Sequence, residues 1–532
     1  MYLREVPKVN PAISGGMPKM LKVGVFSFDV GRSMFDVGVF AYLDVHLRSF
    51  HVADFKEILG GLAEIVGQEF VKTEPDVLSD YGVDNMLPKA VVFPEDTGQV
   101  SEVVQLANRE NMAIIPCGSR TKMAMGNPPA RLDVVLCTSR MNHMIDVDTS
   151  NLTITVESGV KFRDIQARLA TQEDRCYLPL DDLITEADEV ICSDRSHSGC
   201  FLPIDPSYAD SATIGGIIAV NASGSRRLLY GNIRDSILGV RMVAPTGEIL
   251  GSGGKTVKNV SGYDVSKLAV GSMGSLGIIC EMTLKLLPMP EKMETLLISF
   301  GSFSHVSSFI EDVFETHLLP AGVDVMNQEA YSHLNMDGIP DFGSNSYVSA
   351  IAIEGFEQAV NRMRTEIMGM AKANGARSDA RLQEERHLLF WLAVSNLDTG
   401  LADKGADLIK AKLNYPISEW RGIAESAEKT FSDADLDYTL QIHAGNGICL
   451  PRLLILQNDA KVMDRGIHAI KSLLARCREV GGNLIIEGAP AEVKDRLKIW
   501  GETGSDFVIM KRIKEQIDPS GIMSPGRFVG GL

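Results

Sequence analysis

Between Ser211 and Ile279 the chain is crowded with glycine, alanine and serine, in the stretches SATIGGIIAVNASG and GGKTVKNVSGYDVSKLAVGSMGSLGII. Small residues at that density let backbone approach another surface closely, either the backbone of a tightly packed sheet with glycine turns or a large flat ligand. Lys258, Tyr263 and Asp264 are set among them. Upstream, AVVFP (90–94), the helically spaced VSEVVQLANREN and AIIPCGS read as strand, helix and strand. The second strand of this βαβ unit runs into the loop PCGSRTKMAMGNPP (116–129), and ligands collect at such strand ends. The loop begins with few bulky side chains and carries Arg120 and Lys122. Successive N–H groups can converge on phosphate oxygens in a chain of that kind, and glycine permits the positive φ this requires. By spacing alone the loop is either a turn or a phosphate cradle.

The combination is more specific. The loop, DPSYADSATIGG, NASGSRRLLYGNIRDSILGV, GGKTVKNVSGYD and GSMGSLGIICE together resemble the FAD-linked oxidases of the vanillyl-alcohol oxidase type, flavoproteins with a PCMH-type FAD-binding domain. The likeness is greatest to the smaller FAD-binding subunit of bacterial glycolate oxidase, with D-lactate dehydrogenases as relatives, and covers roughly residues 85–290 and 480–528. It implies an α+β chain with an N-terminal extension (1–50) and a PCMH-type FAD domain of two α+β subdomains (51–290, core 85–290, insertion 182–199). A ferredoxin-like α+β cap (291–485) and a C-terminal segment returning to the FAD domain (486–532) would follow.

The resemblance also assigns residues. Cys117, Gly118, Ser119, Arg120, Thr121 and Lys122 would wrap the FAD pyrophosphate. Asp205, Pro206, Ala212, Thr213, Gly215 and Gly216, with Asn221, Ser223 and Gly224, would line the cofactor. Ile278 and Ile279 would meet its adenine half, and Gly262, Tyr263 and Asp264 would lie near the isoalloxazine. Arg527, in the closing stretch WGETGSDFVIMKRIKEQIDPSGIMSPGRF, would neutralise charge near FAD or else is a surface arginine after a turn. The phosphate loop contains no histidine, so the flavin is expected to be held non-covalently, with Cys117 and Cys176 as bystander thiols.

The cap departs from the family pattern. Larger catalytic relatives carry His-x-Gly-Asp-Gly-Asn-Leu-His and a later Glu-His-Gly, which supply metal ligands and a base. Here His443 opens HAGNGICL but Leu450 stands at the second histidine, and IIEGAP keeps Glu487 while Gly488 replaces the base. One imidazole and one carboxylate do not close a metal site, so no metal is expected. His443, Glu487 and Tyr263 remain catalytic candidates, and for His443 and Glu487 a structural hydrogen-bonding role stands against a residual metal or substrate role. Val394 and Ile417 stand where relatives carry a guanidinium, so a 2-hydroxy acid would lose its carboxylate clamp.

Composition narrows the setting. Eight cysteines are scattered without a Cys-x-x-Cys pair, which fits a reducing cytoplasm and argues against an iron–sulfur cluster within the chain. Another insertion reading, a metal site at Cys192, His197 and Cys200, is one ligand short of a tetrahedron, which leaves a surface loop. A net charge of −17 disfavours nucleic acid and anionic membrane surfaces. No apolar run reaches the 18 residues a span requires, so any membrane association would come through a partner. Near the N-terminus VGVFSFDVG and VGVFAYLDV form a near-repeat broken by Asp29, Arg32 and Asp36, unlike a signal-peptide core, and read as a loose extension or a partner-docking arm. The expected function is the FAD subunit of a glycolate- or D-lactate-type 2-hydroxy acid oxidoreductase, passing electrons to an iron–sulfur partner. An electron-relaying flavoprotein without a substrate site, or an oxidase giving electrons from a larger alcohol to oxygen, are the alternatives.

Overall fold

The computed structural model describes residues 55–173, 199–255, 264–402, 406–456 and 459–532. The chain divides into Met1–His51 and Val52–Leu532, and every described residue belongs to the second unit. The N-terminal near-repeat, Cys176, nearly all of the insertion with Cys192 and His197, and the pair Gly262 and Tyr263 lie outside the described residues.

The described part of the first half holds a four-stranded sheet, a five-stranded sheet and a two-stranded pair of Cys200–Phe201 with Leu287–Pro288. Val71–Lys72, Ala90–Val92, Val134–Cys137 and Ile114–Cys117 lie side by side in that order, the last three parallel. Every residue of Ala90–Val92 and Val134–Cys137 is buried, as parallel strands covered on both faces require. Helices Phe55–Val66 and Thr97–Arg109 cover one face, and Asp96 starts the second by accepting from the Gln99 N–H at 2.8 Å. Five antiparallel strands form the other sheet, in the order Met144–Asp148, Thr153–Glu157, Ile278–Lys285, Ile237–Val243 and Ile249–Gly253. Helices Phe162–Glu173 and Ile214–Val220 pack on it. The latter starts at Thr213, whose Oγ1 accepts from Gly216 N, and stops at Asn221 in the left-handed region, φ 51°.

The cap is one eight-stranded antiparallel sheet made of two βαββαβ units. The first comprises Lys292–Phe300, helix Phe303–Phe314, Gly322–Asn327, Tyr347–Gly355, helix Glu357–Ala373 and Ser378–Gln383. The second comprises Ala406–Asn414, helix Trp420–Asp433, Tyr438–His443, Ile448–Leu456, helix Ala460–Glu479 and Asn483–Gly488. In each unit the fourth strand lies beside the first, then the third, then the second, and Gly322–Asn327 joins the halves by pairing with Tyr438–His443. The cap is thus two ferredoxin-like units sharing a sheet. The strand Ala406–Asn414 stops short of Pro416, which offers no N–H to a ladder, and a 3-10 turn, Ile417–Glu419, follows.

Period-two alternation divides the residues of this sheet between its faces. Val323, Val325, Leu440, Ile442, Cys449, Leu453, Ile409, Ala411, Leu484 and Ile486 enter the core beneath the helices. The intervening Asp324, Gln441, His443, Leu450, Arg452, Lys410, Lys412 and Glu487 therefore share the opposite face.

The C-terminal segment closes the first sheet. After helix Phe507–Ile517, Ile114 N donates to Ile522 O at 2.7 Å and Ser524 N to Ile114 O at 2.9 Å, covering an otherwise free strand edge. Buried Lys514 secures this by donating to Ser275 O, Met523 O and Asp518 at 2.6–2.8 Å.

Candidate active site

Two adjoining cavities meet at the Gly118 loop. Cys117, Gly118, Ser119, Arg120, Thr121 and Lys122 line the first, facing Thr213, Gly215, Gly216, Ile278 and Ile279, with Arg527 arriving from the C-terminal segment. Close approach makes the glycines necessary. A Cβ on Gly118 would collide with Thr213 Oγ1, and one on Gly215 would stand 2.6 Å from Ser158 Cβ. Arg120, at φ 68°, directs its guanidinium outward, donating to Asp80 O at 2.8 Å and lying over the Tyr81 ring. Arg527 is buried and donates through Nη2 to the carbonyls of Met123 and Met125, while its Nε has no partner. Burial lowers its pKa to about 10, which leaves it a cation at neutral pH. Ser158 Oγ is a second buried polar atom without a partner on this wall. Two unsatisfied donors beside a glycine-rich loop fit a pyrophosphate.

Lys122 also borders the second cavity, along with Asp205, Asn221, Ser223, Gly224 and Ser225 from the first half of the chain. Asp205 accepts from the Gly224 and Arg226 N–H groups, each at 2.9 Å, and so fixes the turn that follows the helix. Asn221 Oδ1 is buried without a partner. Pro206 and Ala212 are buried but line neither cavity. Asp264 is also absent from both walls; it lies exposed and pairs with Lys267 at 3.8 Å.

The facing wall is the polar side of the cap sheet. Lys410, in register with Arg452 of the adjacent strand, sits between Asp398 and Glu487, the latter at 2.9 Å, and Arg452 pairs with Asp398. Burial would raise the pKa of both carboxyls, but Lys410, Lys122 and their other cationic neighbours overrule it and hold both well below the usual carboxylate range. The lysines divide. Burial favours neutral Lys410, yet Asp398 and Glu487 hold it charged. Lys122 is lowered to about 8 by burial and then by repulsion from Lys410. Burial also lowers Lys412, whose nearest carboxylate, Glu487, is 4.0 Å away.

His443 lines this cavity, with Nδ1 2.7 Å from Asp324 Oδ1 and 2.9 Å from Ser225 Oγ. Val394 and Leu450 line it too, whereas Ile417 is 53% exposed on its surface turn. Among the described residues no group of three His, Cys, Asp or Glu side chains could hold a metal ion. Glu487 instead meets an ammonium group. The sequence reading missed Lys410, Lys412, Arg452, Asp398 and Asp324. Their signal is weak: IKAKL alternates as a strand with one solvent face does, and only tertiary packing covers that face.

Two family models match this chain. The FAD binding domain model covers residues 88–181 and 195–253, and the C-terminal domain model of FAD linked oxidases covers 289–528. The chain belongs to the FAD-linked oxidases. The second match runs through the whole cap, where the sequence resemblance had a gap from 290 to 480. Among curated relatives, this FAD-linked oxidase is 29% identical over 453 residues to glycolate oxidase subunit GlcD of Bacillus subtilis, covering 83% of this chain and 89% of that protein. It is 26% identical to a D-2-hydroxyglutarate dehydrogenase of Xanthomonas citri pv. viticola, covering 86% and 94%. A D-lactate dehydrogenase of Anaerostipes hadrus is 30% identical, over 52% of each chain. In fold it is similar to p-cresol methylhydroxylase, with a TM-score of 0.66 at 18% identity over 89% of this chain and 96% of that one. Its cofactor is FAD, which supplies a two-electron acceptor when bound.

Proposed function

We propose that this FAD-linked oxidase oxidises a 2-hydroxy acid of the glycolate or D-lactate class, as the FAD-carrying subunit of a cytoplasmic complex that passes electrons to an iron–sulfur partner. The observation that carries the reading is the state of Lys122 and Lys412, two cations whose burial is poorly compensated and which border one cavity. Buried charge of one sign is relieved by a ligand of the other, and a carboxylate bound there supplies it. These lysines and Lys410 would serve where the sequence had suggested that the clamp was lost. Glycolate, D-lactate and D-2-hydroxyglutarate, named in the relatives, are all 2-hydroxy acids. The described cysteines are buried and free, which favours a separate iron–sulfur chain.

In this reading the pyrophosphate lies under the Gly118 loop, held by backbone N–H groups, Ser158 and Arg527, without a covalent bond. Acid denaturation is expected to release all of the flavin into the supernatant. Anaerobic addition of glycolate, D-lactate or a longer D-2-hydroxy acid is expected to bleach the flavin absorbance of the purified protein. A protein that holds FAD but is bleached by none of them overturns the proposal. The relay reading draws on Val394 and Leu450, apolar groups in the cavity wall. It predicts flavin that a reduced partner or dithionite bleaches and 2-hydroxy acids do not.

A further inference from the structure

We infer that His443 is the general base of this site and that Asp324 positions it. The assignment rests on the proposed oxidation of a 2-hydroxy acid, and it fills a gap: a base is missing at Gly488, and the ligand pattern that would tie an imidazole to a metal is broken at Leu450.

The geometry starts from strand register. Asp324 and His443 are directly paired on neighbouring antiparallel strands, so their side chains rise from the same face of the sheet. Nδ1 of His443 lies 2.7 Å from Asp324 Oδ1. The other carboxylate oxygen accepts from Ser225 Oγ at 2.8 Å and from Gln441 Nε2 at 2.9 Å. A carboxylate held by two donors on Oδ2 is fixed in orientation and turns Oδ1 as an acceptor toward Nδ1. Nδ1 therefore carries the proton, and the lone pair belongs to Nε2. With Nδ1 taken, Nε2 is the nitrogen left to the cavity that His443 lines. The same cavity wall holds Lys410, Lys412 and Arg452, so a substrate anchored there by its carboxylate presents its hydroxyl within the space His443 borders.

The step balances as follows. The substrate O–H bond would break with its proton going to His443 Nε2, the C–H bond would break with hydrogen and electron pair leaving together as hydride, for which bound FAD would be the acceptor, and the oxygen lone pair left behind would form the carbonyl π bond. Asp324 stabilises the resulting imidazolium and holds the ring against rotation. Lys122 borders the same cavity and is the competing base.

The test uses the FAD-loaded full chain and whichever 2-hydroxy acid bleaches it, with rapid anaerobic mixing. His443→Asn keeps an amide donor for Asp324 but removes the base. It is expected to slow bleaching by about 10²–10⁴-fold while the Kd of the matching 2-keto acid, read from flavin spectral shifts, changes less than about threefold. Asp324→Asn is expected to slow bleaching by at least about tenfold with the same split. Added imidazole is expected to restore part of the rate to His443→Ala. Bleaching at the wild-type rate in His443→Asn overturns the assignment, as does a Kd that weakens in proportion to the rate, which marks a structural role. A loss confined to Lys122→Met gives the role to Lys122 and overturns it equally. If the wild-type flavin is bleached by no 2-hydroxy acid, the proposed function fails first and this assignment with it.

Discussion

Gly118 has no room for a methyl group, since a Cβ there would enter Thr213 Oγ1. Gly118→Ala is expected to weaken FAD binding by at least tenfold and to lower apoprotein stability by about 1–3 kcal/mol, checked by fluorescence titration and thermal melting. Lys122 offers a different test. Its pKa of about 8, set by burial and then by Lys410, means that its charge is lost as pH rises from 7 to 9. Binding of a 2-keto acid is expected to weaken across that window in the wild type, and Lys122→Met is expected to flatten the profile. The part of this loop in a cavity wall was legible because strand, glycine and small residue are adjacent in sequence. What was not legible is that Arg120 points to Asp80 and Tyr81 while Lys122 faces the cavities. The left-handed backbone at Arg120 does that, and no local pattern announces it.

At the scale of elements, alternation along a cap strand does not say which of its faces is wet. Lys410 and Lys412 alternate with Ile409, Ala411 and Leu413 as they would on a solvated sheet, and residues 221–225 line the same cavity as these lysines. The return of the C-terminal segment was implied by the family resemblance. Its lock was hidden, because a lysine in a helix's last turn ordinarily reaches water. Lys514 is instead buried against Ser275 O, Met523 O and Asp518. Lys514→Met leaves Asp518 buried without its cation and is expected to cost about 3 kcal/mol, measured by urea unfolding.

Across the whole described unit, the cap is fastened to the FAD domain by a buried charged cluster. Arg226 lies 3.4 Å from Glu354, which also accepts from Tyr230 at 2.6 Å and meets His387 at 3.2 Å. Burial raises the pKa of Glu354, but Arg226 and His387 outweigh it and bring the value down to about 2. A carboxyl depressed on folding contributes stability that is present above its unfolded value near 4.5 and lost as pH falls toward 2. Glu354→Gln is expected to flatten the fall in stability across that acid window, followed by circular dichroism. The two ferredoxin-like halves could not be seen in the sequence, because they share connectivity and not residues.

The hydrogen bonds between Ile114 and residues 522–524 also set an order of events during synthesis. At roughly 5–20 residues per second, about 400 residues of translation separate the glycine loop from the segment that closes its sheet and brings Arg527 to the cavity. For much of a minute the nascent flavin domain has an uncovered strand edge and an incomplete phosphate wall. Cofactor loading is therefore expected only after Arg527 has been made, and until then that edge is open to pairing with other strands.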